Sequence, residues 1–202
     1  LGLGGALLLP PFYYKDIDDD GVVRYFERIV TATEAEPIAL YLYNFPALSG
    51  IRYTASLVRR LRSEFGARIR GIKDSSGDLD YAAEVAAISP DLDVFPSSES
   101  TLKSARAGGP FAGCISATAN VNAGLCRRAL HAGDDGALEQ ATRIRQRVAG
   151  RYLIAGVKAI LADLLRHPGI ARIMPPLTEM PDADRVALIR DYRSAMGFTT
   201  AP

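Results

Sequence analysis

The chain has 202 residues, of which 48% are hydrophobic and 23% charged, and its formal net charge at pH 7 is +1. This composition is typical of a globular chain with one domain or at most two, and a near-zero charge without a basic run excludes a nucleic-acid-binding surface. No apolar stretch reaches the roughly 18 residues that a membrane span requires, so no membrane partner is expected. The apolar N-terminal run lacks the basic flank of a signal peptide and is interpreted as a strand.

Five apolar runs predict parallel β-strands that are buried on both faces, because polar residues do not alternate along them. In chain order they cover Gly5 to Leu9, Ile38 to Tyr43, Ile69 to Lys73, Val94 to Phe95 and Gly113 to Ser116. Amphipathic helical patterns fill the intervals, and the first three begin beside Asp18, Thr54 and Asp78, of which Thr54 is a candidate N-cap. Strands that alternate with helices indicate an α/β fold with a parallel sheet.

After Ser116 the sequence shows helical patterns only. They cover about Asn122 to Ala132, Leu138 to Val148, Val157 to Leu165 and Asp182 to Met196. We therefore predict five βα units over residues 1–121 and a helical region over residues 122–202.

One lysine, Lys73, stands where the third apolar run gives way to a polar loop in the sequence Gly71-Ile72-Lys73-Asp74-Ser75-Ser76-Gly77-Asp78. A lysine at such a strand end can form an imine with a carbonyl compound, provided that desolvation or a neighbouring cation favours its neutral amine. The alternative is a surface lysine that merely closes the strand. The octapeptide by itself leaves both interpretations open.

A second strand end repeats this arrangement thirty residues upstream, in Tyr43-Asn44-Phe45-Pro46. A (β/α)8 barrel of about 250 residues has roughly 31 residues in each of its eight units, so equivalent points on neighbouring strands recur at this interval. Tyr43 and Lys73 are therefore predicted to emerge side by side, with the tyrosine as a proton-transfer partner of the lysine.

Four segments resemble the dihydrodipicolinate synthase / N-acetylneuraminate lyase family in order and spacing. They are Pro10-Pro11-Phe12-Tyr13-Tyr14-Lys15, Tyr43-Asn44-Phe45-Pro46-Ala47-Leu48-Ser49-Gly50, the Lys73 octapeptide, and Gly113-Cys114-Ile115-Ser116-Ala117-Thr118-Ala119-Asn120. The resemblance implies a (β/α)8 TIM barrel with C-terminal helices, in a dimer or more commonly a homotetramer. It also implies a lyase or aldolase of the Schiff-base type that acts on pyruvate or another 2-oxo acid and an aldehyde. Lys73 would form the imine, and Tyr43 would relay protons.

The same resemblance suggests further site residues. A tyrosine of the first segment would reach into the site of a neighbouring subunit, and the match points to Tyr13, or to Tyr14 if one residue is inserted. The alternative is a surface aromatic cluster at a subunit contact. Ile115 would line the pocket beside the imine, although an isoleucine in a strand is more often simply a core residue.

Two departures from the family pattern narrow the substrate. Leu48 occupies the position where the synthases have an arginine that binds a substrate carboxylate, and a leucine cannot form a bidentate ion pair. Ser97 occupies the position of a glycine that lets substrate approach the backbone. The pattern therefore favours a 2-keto-3-deoxy sugar acid over the substrate of lysine biosynthesis.

The resemblance begins at the family's fourth strand, so the chain is expected to contain only the portion from strand 4 to strand 8. Three βα units and a hydroxyl-rich loop that binds the carboxylate of the 2-oxo acid have no counterpart. This predicts a truncated barrel, and it leaves a second function open, that of an inactive binding or assembly subunit.

No cofactor or metal is expected. Cys114 and Cys126 form no motif and are interpreted as reduced thiols of a cytoplasmic protein. His131 and His167 lack ligand spacing to a carboxylate or a cysteine, and no glycine-rich loop follows a strand in the manner of a nucleotide-binding fingerprint.

Overall fold

The computed structural model describes residues 2–150 and 152–198, and within them it contains a four-stranded parallel sheet. The strands are β1 (Gly5–Leu8), β2 (Ala39–Asn44), β3 (Ile69–Asp74) and β4 (Asp93–Pro96), and their order in the sheet is their order in the chain. Each neighbouring pair is parallel, as the alternation of strands and helices predicts.

Nine α-helices occur in the described residues, and each helix predicted from the sequence is present within a few residues. They are α1 (Asp19–Ala32), α2 (Pro46–Ser49), α3 (Ala55–Phe65), α4 (Leu79–Ala86), α5 (Leu102–Arg106), α6 (Ala119–His131), α7 (Asp135–Val148), α8 (Leu153–Leu164) and α9 (Asp182–Ala195). The candidate cap Thr54 is confirmed, because its side chain accepts a hydrogen bond from the amide of Leu57 at 3.2 Å. Asp18 and Asp78 cap α1 and α4 in the same way.

The predicted fifth strand, Gly113 to Ser116, does not form. The amide of Ala112 donates to the carbonyl of Val94 at 2.9 Å, and the amide of Ile115 donates to the carbonyl of Pro96 at 3.1 Å. A parallel ladder would need a return bond from the amide of residue 96, which is a proline and has no N–H. The segment therefore runs along β4 on isolated hydrogen bonds instead of extending the sheet.

The chain folds into two compact units. The first comprises residues 1–97 and 107–115 and contains the sheet, and the second comprises residues 98–106 and 116–202 and is helical. The core of the second unit is formed by apolar side chains of α6 to α9, among them Leu125, Ile144, Ile160 and Leu188. Residues 1–121 and 122–202 remain our proposed division between strand-bearing and helical parts of the chain.

The two faces of the sheet differ, which corrects the prediction of strands buried on both faces. On one face Leu40, Leu42, Ile72 and Val94 are fully buried with the apolar side chains of α1, α3 and α4. The opposite face carries Tyr41, Tyr43, Lys73 and Phe95, which are half-buried, and Leu7, which is exposed. The sequence conceals this difference because most side chains on the open face are aromatic or apolar too.

Gly71 allows the open face to pack. A Cβ atom at this position would lie 2.3 Å from the carbonyl oxygen of Asp93 on β4 and 2.8 Å from the ring of Tyr41 on β2. Because the nearest atom belongs to a hydrogen-bonded neighbouring strand, a small side-chain adjustment cannot relieve the contact. The position therefore requires glycine for lack of space.

We expect Gly71→Ala to lower the free energy of unfolding by about 1–3 kcal/mol, the usual cost of overpacking a tight site. Gly4→Ala is the matched control, since nothing lies within 4 Å of a Cβ at Gly4. Urea denaturation followed by circular dichroism measures both variants. Equal stability of Gly71→Ala and the parent chain would contradict the described packing between β3 and β4.

Candidate active site

Lys73 and Tyr43 are direct register partners at the carboxyl ends of β3 and β2. The Nζ atom of Lys73 lies 3.7 Å from the centroid of the Tyr43 ring, and Tyr43 in turn packs on Phe45 with ring centroids 6.1 Å apart. The spacing of thirty residues therefore does bring these two predicted residues together. The lysine faces the ring of the tyrosine, which is a cation–π arrangement, and not its hydroxyl.

A shift in register between β2 and β3 produces this pairing. Leu40 pairs with Ile69, but the next residue of β2, Tyr41, pairs with Gly71, so that Arg70 is an extra residue on β3. Without the shift Tyr43 would pair with Ile72, and Lys73 would lie one position further along. Arg70 is held by an ion pair of 3.0 Å to Asp93 at the start of β4.

A buried polar pair fixes the register one residue beyond Lys73 and Tyr43. The Nδ2 atom of Asn44 donates to Oδ1 of Asp74 at 2.6 Å, and these two residues are 0% and 1% exposed. The Oδ1 atom of Asn44 also accepts from the amide of Tyr53 at 3.2 Å, and Asp74 accepts from the amide and the hydroxyl of Ser76. The strand ends and both following loops are thus tied together.

The loop after Lys73 ends at the N-terminus of α4, where Asp78 accepts from the amide of Tyr81 at 2.9 Å and from Arg52 at 3.0 Å. The pKa of Asp78 is lowered below its usual value, mainly by the hydrogen bond from the backbone of Tyr81 and secondly by the guanidinium of Arg52. The carboxylate is therefore ionised at neutral pH, and it anchors the loop that carries Ser75 and Ser76.

The remaining predicted residues of the site belong to the first unit. Tyr13 and Tyr14 are 80% and 71% exposed and contact each other edge to face, with ring centroids 5.2 Å apart. Ser97 directly follows β4 and is half-buried. Ile115 is partly exposed, and its amide donates to the carbonyl of Pro96, the residue before Ser97. The structure therefore leaves Tyr13 and Tyr14 at the surface.

A depression of about 280 Å³ adjoins Tyr43. Its walls are Leu9, Phe12, Tyr43, Phe45, Leu48 and Ser49, and Leu48 is 74% exposed at its edge. The loop after β1 supplies Leu9 and Phe12, and the other wall consists of Tyr43 on β2 and of residues in the chain after β2. We refer to this depression as the apolar pocket.

Three residues that shape the site were not predicted as site residues from the sequence. Asn44 and Asp74 stand thirty residues apart, one position after Tyr43 and Lys73, so the same spacing signals their pairing. Lys15 belongs to the first of the four family-like segments, and its Nζ donates to the carbonyl oxygens of Phe12 and Ser49 on the two walls of the apolar pocket. No pattern in the sequence indicates that contact.

Within residues 2–150 and 152–198, no group of three or more His, Cys, Asp or Glu side chains is placed to hold a metal ion. In the same residues, no helix is both long and apolar enough to cross a membrane. Cys126 donates to Oδ1 of Asn122 on α6.

A parallel sheet carries a lysine beside a tyrosine at the carboxyl ends of adjacent strands, and its strands alternate with helices as they do in the α/β barrel class. The profile of the dihydrodipicolinate synthetase family matches residues 1–181, and the chain belongs to that family. The family resemblance and the α/β barrel class deduced from the sequence are therefore confirmed.

Among similar proteins, an uncharacterized DapA-like lyase of Chloroflexus aurantiacus is 31% identical over 99% of this chain and 68% of its own length. An uncharacterized DapA-like lyase of Halobacterium salinarum is also 31% identical, over 95% of this chain and 62% of its own length. The solved structure of YagE, a prophage protein of the dihydrodipicolinic acid synthase family from E. coli K12 in complex with pyruvate, superposes with a TM-score of 0.79. That match has 22% identity and covers 96% of this chain and 67% of YagE. The chain thus spans about two thirds of the proteins it matches.

A double-mutant cycle tests the buried pair. Asn44→Ala and Asp74→Ala should each lower the free energy of unfolding by about 1–3 kcal/mol, because each leaves a buried polar partner unsatisfied. The double variant should lose clearly less than the sum, since neither Asn44 nor Asp74 then remains buried without the other. Urea denaturation gives the four values, and strictly additive losses would show that Asn44 and Asp74 do not act as a pair.

Proposed function

We propose that this chain carries the reactive residues of a Schiff-base lyase or aldolase, a class I aldolase-type enzyme that acts on pyruvate or a 2-keto-3-deoxy sugar acid. Lys73 is the imine former, and Tyr43 moves protons. The observation that supports this most directly is the pairing of Lys73 with Tyr43, with Nζ 3.7 Å from the ring, at the strand ends where barrel enzymes carry their sites. Membership of a family with DapA-like lyases agrees with it.

The proposed chemistry begins when the neutral amine of Lys73 adds to C2 of the 2-oxo acid and water leaves as the imine forms. The protonated imine then accepts the electron pair of the bond between C3 and C4, a proton leaves the hydroxyl on C4, and an aldehyde is released. The resulting enamine takes a proton at C3, and water hydrolyses the imine. Tyr43 exchanges these protons after its ring turns to present the hydroxyl, since the ring faces Lys73 in the structure.

None of the residues that line the apolar pocket, on the proposed aldehyde side of the site, is charged. Leu48 at its edge cannot pair with a carboxylate, so an aldehyde that carries one loses a charge-assisted contact of about 1.5–3 kcal/mol. Ser97 and Ile115 follow β4 and are proposed to line the same mouth. We therefore propose a neutral aldehyde as the partner of the enzyme-bound 2-oxo acid.

The proposal includes a homo-oligomer, a dimer or tetramer, in a cytoplasmic setting. Tyr13 and Tyr14 support the oligomer, because two adjacent tyrosines at 80% and 71% exposure are typical of residues that pack at an interface. Tyr13 is the candidate to reach the site of a neighbouring copy. Tyr14 remains the alternative.

A second candidate function is that of a noncatalytic binding or assembly subunit. The open face of the sheet favours it, since Leu7 and Leu9 are 44% and 46% exposed and β1 has a single neighbour in the described sheet. An exposed apolar face beside an unpaired strand edge is a surface that another polypeptide can cover.

Trapping with borohydride tests the first candidate. When the 202-residue chain is incubated with pyruvate and borohydride, hydride reduces the imine carbon and should add one reduced pyruvyl group to the peptide that contains Lys73. Lys73→Arg should abolish this label, and Lys103→Arg, which alters an exposed lysine on α5, should keep it. Peptide mass spectrometry gives the result. Label that persists in Lys73→Arg would refute the assignment, and a complete lack of label in the parent chain would favour the noncatalytic candidate.

Dye binding tests the open face. The 202-residue chain should enhance the fluorescence of a hydrophobic dye and associate with itself, and Leu7→Asn with Leu9→Asn should reduce both effects several-fold. Leu177→Asn, at an exposed leucine of the second unit, is the control and should change neither. Sedimentation velocity follows the association. A monodisperse chain that does not enhance the fluorescence of the dye would argue against the exposed face as an interaction surface.

A further inference from the structure

The walls of the apolar pocket offer no charged group to a ligand. Leu9, Phe12, Phe45 and Leu48 contribute only carbon atoms from their side chains. The hydroxyl of Ser49 is already engaged with the backbone of Phe45 and Ile51, at 3.1 and 2.9 Å. Apart from the hydroxyl of Tyr43, a polyhydroxylated group placed here would exchange its hydrogen bonds to water for contacts with carbon, which is unfavourable.

The apolar pocket adjoins the reactive centre through a shared side chain. Tyr43 forms one of its walls, and the same ring lies 3.7 Å from Nζ of Lys73. A carbonyl compound that reacts at Lys73 therefore lies next to the pocket. The chain beyond its reacting carbons is the part that can extend into it.

Lys15 joins the two walls of the apolar pocket. Its Nζ donates to the carbonyl oxygen of Phe12 on one wall and, at 2.8 Å, to that of Ser49 on the other. Gly50 follows Ser49 with φ of +73°, and a Cβ there would lie 2.9 Å from Cδ of Lys15. The side chain of Lys15 thus bridges the loops after β1 and β2, which carry the two walls of the pocket.

From these contacts we propose that the apolar pocket is the substrate-specificity pocket of the Lys73 site. The substituent that it accepts is an apolar one, an aryl or alkyl group and not a polyol, and Lys15 is the residue that positions its walls. The proposal rests on the proposed imine chemistry of Lys73. It keeps pyruvate as the 2-oxo acid of that proposal and replaces the sugar-derived partner, which the family resemblance alone favours, with an apolar one.

A competition experiment measures the preference. The 202-residue chain is offered equal concentrations of 4-phenyl-2-oxobutanoate and 5,6-dihydroxy-2-oxohexanoate with borohydride, and the two labels on Lys73 are compared by peptide mass spectrometry. Neither acid has a hydroxyl on C4, so neither is cleaved and the labels stay distinct. We expect the phenyl label to exceed the other by about tenfold or more, the usual range for filling or leaving empty an apolar pocket. A preference for the dihydroxy acid overturns the proposal.

Variants test whether the apolar pocket causes the preference for the phenyl acid over the dihydroxy acid. Leu48→Asn should reduce the ratio of the labels several-fold, whereas Leu79→Asn, at an exposed leucine outside the pocket, should keep the parent ratio. Lys15→Met, which keeps the stem but loses both hydrogen bonds, should also reduce the ratio, and Lys15→Arg should restore part of it. A ratio that Leu48→Asn and Lys15→Met leave unchanged overturns the proposal.

A binding measurement distinguishes two outcomes, a pocket that does not bind an apolar ligand and a Lys73 that does not form an imine. A fluorinated benzyl alcohol, which cannot form an imine, should show fluorine NMR line broadening with the parent chain and much less with Leu48→Asn. No broadening overturns the apolar pocket even if pyruvate labels Lys73. Broadening without any label at Lys73 refutes the imine chemistry, and with it the role of the pocket in substrate choice. Loss of self-association in Leu48→Asn, without loss of broadening, would instead make the pocket an interface between copies.

Discussion

The hydrogen bond between Asn44 and Asp74 is the constraint on which the candidate site depends. Parallel strands can slide along one another, and a slip of one residue turns every side chain to the opposite face of the sheet. The pairing of β2 and β3 already changes by one residue after Leu40, so the first half of the ladder does not determine the second. A buried side-chain bond of 2.6 Å at the end of both strands fixes the second half, and with it the position of Lys73 beside Tyr43.

Arg70, the extra residue on β3, and Gly71, which follows it, also contribute to the position of Lys73 beside Tyr43. Arg70 is accommodated where its guanidinium reaches Asp93, and Gly71 leaves space for the ring of Tyr41 to lie across β3. Tyr41, Tyr43 and Phe95 then form an aromatic layer on the open face, from which the single amine of Lys73 emerges. The face of an aromatic ring attracts an ammonium group, and this contact holds the Lys73 side chain next to Tyr43.

The contrast between the two faces of the sheet connects packing with chemistry. The helix-facing side is closed by aliphatic side chains and contributes stability, and the open side carries the groups that can meet a substrate. Polar groups near the site are engaged with the backbone or with each other, as Asn44, Ser49, Asp74 and Ser76 show. The groups at this edge to which we assign chemistry are the amine of Lys73 and the phenol of Tyr43, and the apolar pocket lies next to them.

The sequence by itself determined the order of the four strands and of the helices, the N-cap Thr54, the family and the pairing of Tyr43 with Lys73, because these depend on local patterns and on a repeat of thirty residues. It did not predict that Pro96 ends the ladder before a fifth strand, because the missing N–H matters only once Ala112 lies alongside β4. Nor did it reveal the open face, since aromatic side chains look alike in a core and at a site. The bridge from Lys15 to Ser49 and the orientation of the Tyr43 ring toward Lys73 depend on contacts between segments that are distant in the chain, and only tertiary packing decides those.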